Sequence, residues 1–155
     1  MAYVVESPLS QGCLTLSMDR PQVHNAFDEV LIADLSAAFE RAAANTQVRA
    51  VVLTATGASF SAGADVQWMR RMSVASSGQN RDDALALARL MRVIDECPKP
   101  VVALVQGSAY GGGVGLIAAC DIAIAVDSAS FALSEVKLGL VPAVNTFLAM
   151  YCTLT

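Results

Sequence analysis

The spacing of apolar residues changes from one segment of the chain to the next, and it predicts strands that alternate with helices. Two short apolar runs, residues 4–5 and 13–18, flank a polar turn and predict a pair of strands. Residues 50–55 form a continuous apolar run, which is typical of a strand buried on both faces of a sheet. Further strands are predicted at 101–106 and 122–126. This alternation indicates an α/β fold.

A long amphipathic helix is predicted between the second and third of these strands. Either Asn25 or Asp28 can cap its start, because short polar side chains accept hydrogen bonds from the first free N–H groups of a helix. The helix is expected to run to about Ala44, where Asn45 stops it. Its apolar stripe consists of Leu31, Leu35, Phe39 and Ala42.

The rest of the chain is predicted to hold a second amphipathic helix and two shorter ones. The amphipathic helix spans residues 81–97, and its apolar side consists of Leu87, Leu90, Met91 and Ile94. One shorter helix begins at Asp65 and the other spans 112–120. Residues 59–64 are expected to form a loop of small residues, and the polar stretch 73–80 is the predicted linker.

Composition indicates one domain and limits the classes of ligand. A chain of 155 residues can bury one substantial core. Its apolar fraction of 55 % exceeds the average for soluble domains, so we expect some apolar surface to be covered by another subunit or by further chain. The net charge of −4 and the lack of a long Lys/Arg run argue against binding to nucleic acid or to anionic membranes.

The cysteines and the apolar segments predict a cytoplasmic protein without a membrane span. The four cysteines have no metal-ligand spacing and are expected to be free thiols in a reducing compartment: Cys13, Cys97, Cys120 and Cys152. The first residues lack the basic and apolar regions of a secretory signal. Residues 101–126 are apolar, but Gln106 and Asp121 interrupt them, so a strand–turn–helix–strand arrangement fits better than a span.

Three segments carry the residues on which chemistry could depend. Residues 60–65 and 107–115 each place small residues after a predicted strand and before a helix, and residues 134–139 place one carboxylate, Glu135, in an otherwise apolar segment. Backbone N–H groups at a helix start lack intrahelical partners, and glycine or alanine lets a ligand approach them. Two such groups could clamp one carbonyl oxygen as an oxyanion hole, while Glu135 moves protons at carbon.

Each of these features also has a purely structural interpretation. The Gly-rich turns could serve tight packing, Asp65 is first of all a helix cap, and Glu135 could be a solvated or salt-bridged carboxylate. His24 has no second His and no nucleophile as a partner, so we expect a structural or surface role for it. Asp121 is expected to cap a helix end or to form a salt bridge.

Taken together, four segments resemble the signature motifs of the enoyl-CoA hydratase/isomerase (crotonase) superfamily. Residues 20–26 resemble its first signature loop, residues 61–65 its first oxyanion loop, residues 107–121 its second, and residues 131–142 its catalytic-glutamate segment. The resemblance extends over residues 3–144, and the motifs occur in the order of the family.

This resemblance implies a crotonase-like spiral of ββα units whose substrate is a coenzyme A thioester, with no separate cofactor and no metal. The N–H groups of Ala64 and Gly112 would hold the thioester oxygen, and Glu135 would be the catalytic carboxylate. The implied substrate-binding residues are Ala62, Ala64, Asp65, Val66, Gln67 and Gly112. The family forms homotrimers and hexamers.

The chain departs from the family pattern at two places. Hydratases of straight-chain substrates usually carry a second Glu where this chain has Gly115, and a single Glu is the pattern of Δ3–Δ2 isomerases and of some hydratases for branched acids. Residues 60–69 and 111–126 are most similar to bacterial methylglutaconyl-CoA-type hydratases of leucine breakdown. Residues 145–155 do not resemble the family's continuation, so we expect a crotonase-like core at 1–144 without the C-terminal helices that complete the acyl pocket and the trimer contacts. The prediction is an enoyl-CoA hydratase, with an isomerase or an inactive fragment as alternatives.

Overall fold

The computed structural model describes residues 3–135 and residue 139. Its strands are β1 (Val4–Glu6), β2 (Cys13–Met18), β3 (Ala50–Ala55), β4 (Ser59–Ser61), β5 (Val101–Val105), β6 (Ser108–Tyr110), β7 (Ile122–Ala125) and β8 (Phe131–Ala132). Its helices are α1 (Glu29–Ala44), α2 (Val66–Ser73), α3 (Ser77–Asp95) and α4 (Gly112–Ala118), and a 3-10 turn occupies Pro21–Val23. The predicted boundary between core and tail at residue 144 lies outside the described residues.

Within the described residues, the strands form two sheets. The larger sheet has the order β1-β2-β3-β5-β7, in which β1 is antiparallel to β2 and the other pairs are parallel. The smaller sheet has the order β4-β6-β8, and both of its pairs are parallel. From β3 onward, each strand of the larger sheet is followed by a short strand of the smaller one, and α2 and α4 follow the first two such pairs. The predicted spiral of ββα units is confirmed.

The first long helix, α1, begins where its sequence predicts. The Asp28 carboxylate accepts hydrogen bonds from the N–H groups of Val30 and Leu31, so Asp28 rather than Asn25 is the cap. The whole predicted apolar stripe is buried, together with Ile32 and Ala38. These side chains share the main core with the buried residues of α3 and of the larger sheet.

The predicted linker at 73–80 is wrong, because helix α3 begins inside it at Ser77. The Ser76 hydroxyl accepts a hydrogen bond from the N–H of Gln79, and the Gln79 side chain accepts one from the N–H of Ser76. This reciprocal pair is a capping box, which stabilises a helix start even where the first turns are polar and exposed. Residues 74–76 are all that separates α2 from α3.

Two segments that were predicted as a loop and a turn contain short strands. Strand β4 lies within residues 59–64, and β6 lies in the Gly-rich segment after β5. Three residues are too few for an alternating pattern to be visible, and these strands form because Ser59 pairs with Ser108 in the smaller sheet. Residues 101–126 form β5, β6, α4 and β7. Among the described residues, none of the helices combines the length and the hydropathy that a membrane span requires.

The surplus of apolar residues leaves an exposed apolar surface at β7. All residues of this strand are exposed, with Ile122 at 53 % and Ile124 at 57 %. Leu104 pairs with Ile124 across the sheet and is also exposed, as is Val126 directly after the strand. Alternate residues of a strand share one face, so these side chains lie together. We call Leu104, Ile122, Ile124 and Val126 the β7 patch.

We expect the β7 patch to make the chain self-associate, because contiguous exposed apolar surface recruits partners or causes aggregation. Ile124→Lys should reduce both the association and the fluorescence of a dye that binds apolar surface. Val74→Lys is the matched control, since Val74 is 86 % exposed and lies outside the patch. Light scattering gives the size of the particles. A wild-type chain that is monomeric and binds no dye contradicts this expectation.

Candidate active site

The three segments that carry the predicted chemistry meet at one edge of the smaller sheet. Residues 62–65 follow β4, residues 111–112 follow β6 and residues 133–135 follow β8. Because these strands are parallel neighbours, their carboxyl ends lie side by side. Ligands of parallel sheets bind outside such ends, so this edge is the candidate active site.

The first turn of the site, residues 61–65, is held by buried polar groups. The Ser61 hydroxyl donates to the carbonyl of Asn25 at 2.9 Å and accepts from the N–H of Gly63 at 3.2 Å. Gly63 has a φ of +86°, and a Cβ at this position would lie 2.9 Å from the carbonyl oxygen of Tyr110. Glycine is therefore required at Gly63, because a side chain would be strained and would have no room.

The N–H group of Ala64 points away from Phe27, whose main chain pairs with the first turn. The N–H of Phe27 donates to the carbonyl of Gly63 at 2.7 Å, and the N–H of Asp65 donates to the carbonyl of Phe27 at 2.8 Å. These two bonds form a parallel bridge between Phe27 and Ala64. The bonded groups belong to the neighbours of Ala64, so its own N–H is directed to the opposite side.

The second turn packs its glycines directly against the first turn. Gly111 has a φ of +50°, and its N–H donates to the carbonyl of Ala132 at 2.9 Å. Helix α4 begins at Gly112. A Cβ on Gly113 would lie 2.9 Å from the Cβ of Ser61, so the two turns approach each other more closely than side chains would permit.

Glu135 lies beside the second turn. A Cβ added to Gly111 would lie 3.1 Å from Oε1 of Glu135 and 3.5 Å from the Ser134 hydroxyl. The Oε2 atom of Glu135 is shielded from solvent, and the residue as a whole is half-buried. The predicted carboxylate and the turn that contains Gly112 are therefore neighbours.

The predicted substrate-binding residues follow one another from the first turn into α2. Ala62, Val66 and Gln67 are exposed, and Ala64 and Asp65 are half-buried. The Asp65 carboxylate accepts hydrogen bonds from N–H groups in the first turn of α2, so its predicted role as a helix cap is confirmed. Contact of these residues with a substrate stays a prediction.

A buried ion cluster lies behind the first turn, and the sequence interpretation missed it. The Arg20 guanidinium pairs with Asp28 at 2.9 Å and with Asp65 at 3.4 Å. It also donates to the carbonyl of Ala26 at 2.6 Å and lies 4.5 Å above the ring of Tyr3. Arg20 thereby joins the caps of α1 and α2. The signal in the sequence is the pair of predicted aspartate caps, whose charges need a cation once folding shields them from solvent.

Asn25 holds the segment before the first turn in an unusual backbone conformation. Asn25 and His24 are consecutive residues with φ values of +52° and +53°, which non-glycine residues seldom adopt. The Asn25 side chain is fully buried; it accepts from the N–H of Arg20 at 2.8 Å and donates to the carbonyls of Thr56 and Ser59, each at 2.8 Å. These bonds compensate the strain of the turn. His24 is exposed, and its Nδ1 lies 3.1 Å from the Ser59 hydroxyl. The structural or surface role expected for it stays a prediction.

Asp121 does not act as predicted. Its carboxylate accepts a hydrogen bond from the N–H of Val101 at 2.7 Å, and in the described part of the chain it neither caps a helix nor forms a salt bridge. The two residues lie at the starts of β7 and β5, so this bond fixes the spacing of the two strands. The prediction was wrong because the backbone N–H of Val101, on the neighbouring strand, is the donor that the Asp121 carboxylate meets.

The three cysteines in the described part of the chain lie outside the segments that form the candidate site. Cys13, Cys97 and Cys120 are free thiols, and Cys152 lies outside the described residues. Burial and, to a lesser degree, the charge of Asp121 raise the pKa of the Cys120 thiol to about 12. The thiol is therefore protonated at neutral pH and is not a nucleophile. Among residues 3–135, no three potential metal ligands form a cluster.

Comparison with known proteins agrees with this geometry. Residues 9–151 match the family described as Enoyl-CoA hydratase/isomerase. Enoyl-CoA hydratase AFT6-1 of Alternaria alternata is 40% identical over 136 residues, which cover 85% of this chain and 42% of that protein. The mitochondrial Delta(3,5)-Delta(2,4)-dienoyl-CoA isomerase of Mus musculus is 34% identical over 144 residues, which cover 86% and 43% of the two chains.

Solved structures share the fold. The enoyl CoA hydratase/isomerase (crotonase) of Legionella pneumophila is 44% identical with a TM-score of 0.93, and the match covers 97% of this chain and 58% of that one. An enoyl-CoA hydratase of Shewanella pealeana is 48% identical with a TM-score of 0.91, and the match covers 94% of this chain and 55% of that one. This chain thus spans 42% to 58% of the length of these relatives. The chain belongs to the enoyl-CoA hydratase/isomerase family and has the crotonase fold.

Proposed function

We propose that the site at the carboxyl ends of β4, β6 and β8 adds water to the double bond of an α,β-unsaturated acyl-CoA. The supporting observation is that three groups converge: the N–H of Ala64, the start of α4 at Gly112, and the Glu135 carboxylate next to that turn. Two N–H donors and one carboxylate are what hydration through an enolate requires. Coenzyme A is part of the substrate, so the reaction needs no separate cofactor.

In the proposed mechanism, the N–H groups of Ala64 and Gly112 bind the thioester oxygen. The oxygen of water attacks the β-carbon while Glu135 accepts one proton from it, and the electrons of the double bond move onto the thioester oxygen to give an enolate. The α-carbon of the enolate then takes the proton from Glu135, which leaves a β-hydroxyacyl thioester. The N–H groups stabilise the enolate because they are in place before its charge develops.

A Δ3–Δ2 isomerase is the second candidate, and Gly115 is the observation that favours it. This buried position of α4 carries no carboxylate, whereas straight-chain hydratases usually have a second Glu there. The Asp28 and Asp65 carboxylates near the site are both paired with Arg20 and do not replace it. With Glu135 as the sole base, movement of one proton between two carbons is the simplest reaction available.

Assaying a set of enoyl-CoA thioesters, both for water uptake and for double-bond migration, tests these functions. We expect hydration, with the branched methylglutaconyl thioester among the best substrates because of the resemblance in residues 60–69 and 111–126. Migration without hydration favours the isomerase. A chain that binds thioesters but turns over neither substrate class is catalytically inert, and a chain that binds none contradicts the proposal.

Light scattering in the same samples tests for the trimers or hexamers that the family implies.

A further inference from the structure

Phe27 contacts both of the backbone positions that are proposed to hold the thioester oxygen. Its main chain pairs with the first turn through the bonds from Phe27 N–H to Gly63 and from Asp65 N–H to Phe27, which bracket Ala64. Its ring reaches the second turn, where a Cβ added to Gly112 would overlap Cε2 and would lie 3.2 Å from Cδ2. One residue therefore spans the distance between the two turns.

The segment that carries Phe27 is fixed on both sides. Before it, Asn25 is fully buried and hydrogen-bonded through its whole side-chain amide. After it, Asp28 caps α1 and pairs with the buried Arg20. Phe27 is itself only 1 % exposed. The ring has little freedom to move, so the position of this segment determines where the ring contacts Gly112.

We propose that Phe27 is a positioning residue that sets the separation of the Ala64 and Gly112 N–H groups. This inference rests on the proposed function, since it assigns Phe27 to the two donors of that site. A rigid aromatic ring keeps the second turn at a fixed distance from the first, whereas a shorter side chain lets the turns shift. A displacement of about 1 Å at a reacting centre can lower a rate by about 100-fold, because both donors must reach the same oxygen.

The alternative role for Phe27 is that of an ordinary core residue. Phe39 is the matched control, because it is also a phenylalanine at 0 % exposure but lies within α1, and Phe27 is the phenylalanine whose ring a Cβ on Gly112 would meet. Phe27→Leu and Phe39→Leu remove the same atoms from buried positions, so both should lower the thermal midpoint of unfolding. Only Phe27→Leu should alter how a bound thioester is polarised.

The test uses butanoyl-CoA labelled with 13C at the carbonyl, because this saturated thioester binds without being hydrated. Infrared difference spectra of the bound probe report the strength of the hydrogen bonds to its carbonyl oxygen, since strong donors lower the stretching frequency. The wild-type chain should lower this frequency, and Phe39→Leu should preserve the shift. Phe27→Leu should lose most of the shift while binding stays within a few-fold. Phe27→Met, whose longer side chain still reaches Gly112, should restore part of it.

The outcomes separate this inference from the proposed function. If the wild-type chain binds the probe with no shift, or does not bind it, the oxyanion site itself is refuted and the inference falls with it. If the wild-type shift is present and Phe27→Leu retains it, the positioning role alone is wrong. Equal loss in Phe27→Leu and Phe39→Leu assigns the effect to general destabilisation and also refutes the positioning role. If Phe27→Leu does not fold, a shift in Phe27→Met that is present but smaller than that of the wild type supports the role. A shift equal to that of the wild type, or no shift, opposes it.

Discussion

Glu135→Gln removes nearly all turnover of enoyl-CoA thioesters and leaves their binding within a few-fold. The amide keeps the shape of the carboxylate beside Gly111 but cannot accept a proton from water. General acid–base groups contribute about 10²–10⁴-fold to a rate, and we expect a loss of this size in kcat. Steady-state turnover and calorimetric titration with butanoyl-CoA measure the two quantities separately.

The control for this variant is Glu96→Gln, which makes the same change at an exposed ion pair with Arg92. Exposed pairs of this kind contribute little, so both turnover and stability should stay close to those of the wild type. Full activity of Glu135→Gln would remove Glu135 from the mechanism. Parallel loss of binding and turnover would mean that Glu135 holds the turn at Gly111 in place instead of moving a proton.

Gly112→Val should weaken thioester binding and lower the thermal midpoint far more than Val114→Ala. At the level of the sequence, the expected reason is that a branched side chain fills the space of the thioester oxygen. The structure supplies a second reason, since the new Cβ overlaps the buried ring of Phe27. Overpacking of this type costs about 1–3 kcal/mol of stability. Calorimetry measures thioester binding, and thermal unfolding measures stability. Equal thioester binding in the two variants, with a larger loss of stability in Gly112→Val alone, would show that the glycine serves packing alone.

A double variant separates the two reasons. Gly112→Ala adds one Cβ against the ring, and Phe27→Leu removes the ring that this Cβ would meet. If the clash dominates, the double variant should be more stable than the sum of the single effects predicts, because residues in contact are not additive. If the main effect is instead that the side chain fills the space of the thioester oxygen, the changes in stability should be additive. Thioester binding should then stay weak in every variant with alanine at position 112.

Much of the fold follows from local sequence. Helix α1 could be predicted with its cap and its buried stripe, since a 3.6-residue apolar period and an aspartate at the start are both short-range signals. The predicted linker at 73–80 failed for a related reason. The polar residues there predict a loop, yet the Ser76–Gln79 capping box supports a helix whose first turns are exposed. Polarity alone therefore did not distinguish a loop from a solvated helix start.

The short strands and the contacts behind the site could not be predicted in this way. Strands β4 and β6 have three residues each and exist because they pair with each other. The role of Arg20 also depends on distant segments. Nothing in its neighbouring sequence distinguishes this arginine, and the fold buries it between the Asp28 and Asp65 caps. Such features depend on which distant segment lies alongside, and a local pattern does not contain that information.

The α/β alternation, the order of four family motifs and the choice of Ala64, Gly112 and Glu135 as candidates follow from the amino-acid sequence. That the segments carrying them share one edge does not follow from it, because this depends on the parallel order β4-β6-β8. The position of Phe27 also depends on the fold, since its main chain meets one turn and its ring meets the other. The physical reason is that residue types and their periods specify local elements, whereas the distance between two N–H groups is set by packing between segments far apart in the chain.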